Sequence, residues 1–243
     1  MTENAGRTHD PVRDMATVRA ATDGLLDRAA GLGALGDDAV RAPSALPGWT
    51  RGHVLTHLAR NADALVNVLS GRPMYASAEA RDADIEAGAA RPLAEQLDDV
   101  RATAARLAET AAGIPADGWS ARCELRGGVT DVMARIPFRR LVEVELHHVD
   151  LDAGYTLDQL PDDFVAREID FLTARFAGND EVPPLSLSTP AGATWTTGAR
   201  ESAGGPVRVT GAPYALMGWL AGRTTGTGVH ALDGAVLPVL PPL

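Results

Sequence analysis

Glu143 and His147 stand four residues apart in the stretch Glu143-Val144-Glu145-Leu146-His147-His148-Val149-Asp150. On a helix that spacing places two side chains on one face, one turn above the other. A carboxylate and an imidazole arranged this way can share one metal ion. Asp150 follows three residues later on the same side, within reach of the second ring N–H of a ligating histidine. Such pairs are also common on solvated helix faces, so the stretch needs a third ligand from elsewhere before it makes a site.

The elements that must position these side chains read as helices. From Pro11 the apolar residues Val12, Met15, Val18, Leu25, Leu26 and Ala29 recur at helical spacing, and Gly31 with Gly33 ends the run. Leu46-Pro47-Gly48-Trp49-Thr50 is a turn that delivers Thr50 as the N-cap of a second helix, which runs to about Ser70. Val54, Leu58, Leu65 and Leu69 give that helix a core stripe, and His53, His57 and Asn61 form a second stripe at strict four-residue spacing. A polar stripe beside an apolar one needs a wet or metal-filled interior to face. Ser77 can cap a short helix that carries Arg81. Pro92 opens a third long helix, in which Leu93, Leu97, Val100, Ala104, Leu107 and Ala111 keep the 3.6-residue period. Residues 119–128 read as a loop or short hairpin closed by Gly127-Gly128. Pro137 sits at the opening of the fourth long helix, which holds the Glu143 stretch and ends near Gly154.

Four amphipathic helices of this length make a bundle, and the core of a bundle is a usual place for metal sites built from facing helices. The composition then shifts. Pro161 opens a helix to about Phe176, residues 185–189 and 207–210 have strand-like β-branched content with 194–197 between them, and Pro213 opens a helix carrying Leu216, Leu220 and Arg223. The expected organisation is a helical metal-binding bundle over residues 1–155 and a smaller α+β domain over residues 156–243.

At 243 residues the chain can bury a substantial core, and 45% apolar with 22% charged residues is the composition of a soluble globular protein. All 22 basic residues are arginine, and the formal charge of −10 argues against a nucleic-acid partner. The one cysteine, Cys123, rules out an intrachain disulfide and reads as a buried structural thiol rather than a nucleophile. No apolar run is long enough to span a bilayer, and no secretory segment opens the chain. A cytoplasmic protein with no membrane partner is expected.

The candidate site is His57 with Glu143 and His147. Two nitrogens and one carboxylate oxygen suit zinc, and three protein ligands leave a position open, as catalytic zinc sites do. His53 and His148 compete for the histidine positions, although His147 and His148 point about 100° apart on a helix and cannot easily face one ion. Glu145 with His148 is the second-ranked pair. No Gly-x-Ser-x-Gly elbow is present, and the Gly-Gly pairs at 127–128 and 204–205 lack the context of a phosphate loop. Arg81 and Arg223 alone read as surface arginines, but arginine suits bidentate carboxylate recognition where it faces a site.

The chain resembles the mycothiol-dependent maleylpyruvate isomerases, within the wider DinB-like metal-binding bundles, over most of its length. The resemblance rests on Gly48-Trp49-Thr50-Arg51 leading to His57-Leu58-Ala59-Arg60-Asn61, on Pro73-Met74-Tyr75 with Glu79-Ala80-Arg81, on the run from Glu143 to Leu151, and on Ala221-Gly222-Arg223. It implies a zinc-binding N-terminal bundle with His57, Glu143 and His147 as ligands, and a C-terminal α+β domain like a sterol-carrier fold. It implies Arg81 and Arg223 as residues needed for activity. The Arg that directly precedes the glutamate in relatives is Val142 here. The implied reaction is isomerisation of maleylpyruvate to fumarylpyruvate in gentisate breakdown, with zinc and mycothiol as cofactors and only a small-molecule substrate and a low-molecular-weight thiol as partners. A mycothiol S-transferase and a non-catalytic metal- or lipid-binding module are the alternatives.

Overall fold

The structure, a computed structural model, describes residues 9–200 and 205–242. The chain divides into two units between Tyr155 and Thr156.

The first unit is helical. Its helices are α1 (Pro11–Ala30), the short α2 (Asp38–Arg41), α3 (Arg51–Leu69), α4 (Ala78–Gly88), α5 (Leu93–Ala112) and α6 (Ile136–Asp150). Local chemistry sets where they begin. Asp10 accepts the backbone N–H groups of Val12 and Arg13 at the start of α1. Thr50 and His53 form a reciprocal capping box at the start of α3, and Ser77 accepts the Ala80 N–H at the start of α4. Helix α1 packs on α5 and α6, while α3 packs on α4, α5 and α6. The four long helices thereby close on one another as a bundle.

Leu25, Leu55, Leu58, Val100, Val144 and Leu151 meet in one apolar cluster, and Leu65, Leu107, Trp119 and Ile136 belong to another. Each such aliphatic side chain, fully withdrawn from water, contributes about 2 kcal/mol. Both clusters draw on α3, which lies at the centre of the unit. Its entry is tight. A Cβ on Gly52 would run into the carbonyl oxygen of Ala89 and meet the Gln96 side chain at 3.0 Å. Arg51 Nε donates to Leu151 O at 2.8 Å and fastens the start of α3 to the end of α6. Between α5 and α6 a small antiparallel hairpin, β1 (Arg122–Glu124) and β2 (Thr130–Val132), pairs Cys123 with Asp131.

The second unit is α+β. Helices α7 (Asp162–Phe176) and α8 (Pro213–Leu220) pack together, and α7 also packs on β4. The strands β3 (Leu185–Ser188), β4 (Thr194–Thr197), β5 (Val207–Gly211) and β6 (Val229–Ala231) lie in the order β4-β3-β5-β6. The β3–β5 pair is parallel and the other two are antiparallel. Leu185, Leu187 and Val209 are buried on the sheet, and Trp195 Nε1 donates to Asp170 Oδ1 at 2.7 Å.

A helical bundle followed by a smaller α+β part is the expected fold class, and the long helices lie where periodicity put them. Helix α2 and the strands β2 and β6 escaped it, β2 lying past Gly128, the end of the expected hairpin. Helix α2 has four residues, too few to show a period, and β6 has three in a stretch rich in Gly and Pro. No described helix is long and apolar enough to cross a membrane.

Candidate metal centre

Helix α3 presents His57, and helix α6 presents Glu143 and His147 on one face. His57 Nε2 lies 2.9 Å from Glu143 Oε2, and His147 Nε2 lies 3.3 Å from the same oxygen. One ligand atom from each of the three residues falls within 4.8 Å of the other two. The two imidazole rings meet edge to face, with centroids 4.7 Å apart. Both histidines are buried, but Glu143 keeps 34% of its side chain exposed, which leaves the cluster an opening.

The hydrogen bonds around the cluster fix its protons. Asp150 Oδ2 stands 2.8 Å from His147 Nδ1, so His147 donates there and turns Nε2 toward Glu143. Arg81 Nη2 lies 3.2 Å from His57 Nδ1. A guanidinium only donates, so His57 Nδ1 accepts and its Nε2–H points at Glu143. Burial lowers the His57 pKa to about 4, against the pull of Glu143, and the ring is neutral at pH 7. Burial also opposes charge on His147, yet the hydrogen bonds to Asp150 and Glu143 outweigh it and raise the pKa. Desolvation works against the Glu143 carboxylate, but hydrogen bonds from His147 and His57 hold its pKa well below the usual carboxylate range. Two imidazole nitrogens and one ionised oxygen converge here, and once the hydrogens on His57 Nε2 and His147 Nε2 are displaced they suit a divalent cation with N/O preference.

Comparison with known proteins bears on the same helices. The family described as mycothiol maleylpyruvate isomerase N-terminal domain matches residues 18–152, more than half of the chain and all of α3 and α6. The chain belongs to this family. Two solved structures are also similar. One is the crystal structure of the mycothiol-dependent maleylpyruvate isomerase, with a TM-score of 0.82 and 25% identity, covering 96% of this chain and 97% of that one. The other is a variant of that enzyme with one histidine replaced by alanine, and it has the same TM-score, identity and coverage. No curated protein matches the sequence.

In this member of the mycothiol maleylpyruvate isomerase family, the competing histidines have other work. His53 Nδ1 meets the Thr50 N–H and hydroxyl, and its Nε2 lies 3.1 Å from Glu86. His148 stacks on Tyr155 with centroids 3.8 Å apart, and Glu145 accepts the Tyr155 hydroxyl at 3.1 Å. The Glu145–His148 pair therefore builds a packing contact on another face of α6. Arg81 joins the cluster through His57, as described. Arg223 lies in the second unit just past α8, where its Nη1 donates to Ala221 O at 3.0 Å. Cys123 is buried on β1, and burial pushes its thiol pKa up, which makes it a poor nucleophile.

Three residues that the spacing argument did not place also belong here. The Trp49 ring lies 5.5 Å from His57 and 6.4 Å from His147, nearly parallel to the latter, and walls that side. The Tyr75 ring lies 5.9 Å from the Arg81 guanidinium carbon. Arg140, fully buried, donates through Nη1 to Leu58 O at 2.9 Å and Asn61 Oδ1 at 2.8 Å, which locks α6 to α3 beneath the cluster. A readable signal for it existed. Arg140 precedes Glu143 by three residues and Asn61 follows His57 by four, so both fall one turn from a cluster residue on the same helix face.

Proposed function

We propose that this chain is a mycothiol-dependent maleylpyruvate isomerase that holds zinc with His57, Glu143 and His147 and converts maleylpyruvate to fumarylpyruvate, a step of gentisate breakdown. The observation that carries the reading is the convergence of those three donors, within 4.8 Å of one another, in a chain of this family. Zinc held by these residues would supply Lewis acidity that favours the thiolate form of the thiol cofactor; a thiolate adding reversibly to the activated double bond leaves a carbon–carbon single bond and an enolate, rotation about that bond follows, and elimination restores the alkene in its trans form and returns the thiolate.

The chain's own residues do the rest. His57 and His147 would offer ring nitrogens and Glu143 an oxygen to the metal, a three-residue set of the kind catalytic zinc sites use. Asp150 keeps His147 oriented. Trp49 covers one side of the cluster and limits water there. Arg81 touches His57 through Nη2 and Asp82 through Nη1, at 2.6 Å, and a substrate carboxylate or the negative charge that develops on the enone oxygen would take the place of Asp82. Arg223 is the second arginine we propose as needed for activity, on the strength of the family resemblance. The partners are then a small dicarboxylate and a low-molecular-weight thiol, both cytoplasmic.

The test is turnover of maleylpyruvate followed by ultraviolet absorbance, with and without mycothiol, on protein of known zinc content. Fumarylpyruvate should form catalytically only with thiol and zinc present, with the thiol recovered. Thiol consumed one for one with substrate would make the protein an S-transferase, and no dependence on thiol or zinc would refute the proposal.

A further inference from the structure

We infer that a cavity beside the β1–β2 hairpin is the subsite for the substrate's far carboxylate, with Arg126 as its main determinant of selection for dicarboxylates. This rests on the reading above and adds a binding site to it. The cavity has a volume of about 580 Å³ and lies wholly within the first unit. Its walls come from the chain between α3 and α4, from the start of α4, and from the hairpin.

Charge distinguishes it. The chain as a whole carries −10, yet Arg72, Arg122 and Arg126 all line this cavity, with Glu124 as the one acid among its lining residues. Many arginines of the chain are spent on carboxylates, including Arg41, Arg60, Arg91, Arg106 and Arg139. Arg72, Arg122 and Arg126 form no ion pair among the described residues, and the Arg122 guanidinium meets only the Thr130 hydroxyl, at 2.8 Å. Unpaired guanidinium groups gathered round a concavity in an acidic protein make a site for an anion, and their planar forks suit a carboxylate. Ser77 and Ala78 also line the cavity, so the positive end of the 11-residue helix α4 opens on it.

Continuity with the cluster supplies the connection to the reaction. Tyr75 lines the cavity and lies against Arg81, and Arg81 touches His57. Burial first of all raises the Tyr75 hydroxyl pKa, with smaller effects from the charges of Arg81, Glu143 and Arg126. A molecule with its double bond at the cluster and one carboxylate near Arg81 therefore has a cationic cavity waiting at its other end. Maleylpyruvate carries its two carboxylates at opposite ends of the chain.

The experiment uses full-length, zinc-loaded protein and the variants Arg126→Ala and Arg126→Lys. Arg126 is exposed in a turn, so neither change should alter the melting temperature. KM for maleylpyruvate and KM for mycothiol are measured separately. Binding of adipate, an inert dicarboxylate, is measured by calorimetry without thiol. Loss of a charge-assisted hydrogen bond should raise KM for maleylpyruvate and Kd for adipate by about tenfold or more in Arg126→Ala. KM for mycothiol and zinc content should not move, and Arg126→Lys should recover part of the loss. Unchanged values in Arg126→Ala with normal wild-type turnover would overturn the subsite and leave the proposed function standing. A rise confined to KM for mycothiol would also overturn it, giving the cavity to the thiol. If wild type fails to turn over maleylpyruvate but adipate binding still weakens in Arg126→Ala, the subsite stands and the substrate is another dicarboxylate.

Discussion

His147 sits between two carboxylates, with Nδ1 on Asp150 and Nε2 on Glu143, so its removal should cost the cluster a ligand and its organising contact together. His147→Ala should lose most of its zinc by metal analysis, whereas His53→Ala should keep it and lose only about 1 kcal/mol as a disturbed helix cap; full occupancy in the His147 variant would sink the ligand assignment. His57 makes a second prediction. Without metal its Nδ1 accepts from Arg81. An imidazole bound to a cation through Nε2 carries its hydrogen on Nδ1, which then opposes the Arg81 donor. Nitrogen NMR of the His57 ring should therefore show Nε2–H in the metal-free protein and Nδ1–H after zinc is added, and an unchanged tautomer would argue that Nε2 is not the ligand atom. His148 gives a third. Burial first, then the Arg28 charge, lowers its pKa to about 4, while an unfolded histidine titrates near 6.5. Between those values the unfolded chain takes the proton and the folded chain does not, so this contribution is complete above about pH 6.5 and is lost as pH falls toward 4. His148 Nε2 has no partner among the described residues, so His148→Phe keeps the stack on Tyr155 without giving up a hydrogen bond. In metal-free protein the fall of Tm from pH 6.5 to 4 should be shallower in this variant, and a slope equal to that of wild type would refute the account.

At the scale of elements, α3 is the part on which the site depends. It carries His57 seven residues after its capping residue Thr50, and Arg51 ties its start to the end of α6, which carries Glu143 and His147. Gly52 lets this entry approach the connection between α4 and α5, where any side chain would strike backbone. Gly52→Ala should therefore lower unfolding free energy by about 1–3 kcal/mol in urea denaturation, the usual range for overpacking, and weaken zinc binding although position 52 touches no ligand. Unchanged stability would mean that the α4–α5 connection moves aside freely.

For the molecule as a whole, the prediction concerns the division of labour between the two units. The cluster, Arg81 and the cationic cavity all belong to the first unit, and Arg223 belongs to the second. Arg223→Lys retains charge and loses the planar fork. Its zinc content should equal that of wild type while turnover falls by more than tenfold, the scale set by a lost charge-assisted hydrogen bond. Residues 1–155 expressed alone should likewise bind zinc and lack turnover. Wild-type turnover in Arg223→Lys would leave Arg81 and the hairpin arginines to hold the substrate.

Much of this was legible in the sequence because it is local. The starts of α3 and α4 follow from Thr50 and Ser77, whose short side chains satisfy backbone N–H groups a few residues away, that of α1 from Pro11, and helix runs follow from a 3.6-residue apolar period. The Glu143–His147–Asp150 arrangement is likewise a property of one helix, fixed by spacing. The choice of His57 over His53 is different. Both lie on the same four-residue stripe, and only packing decides that one meets α6 while the other turns to Thr50 and Glu86. Arg140 reaches Asn61 across 79 positions of chain, and Arg72 meets Arg122 and Arg126 round one cavity only after the hairpin folds beside α4. Spacing along the chain determines which side chains share a face. Which faces meet, and which charges are left without partners where they meet, depends on contacts between distant segments, and those exist only in the folded bundle.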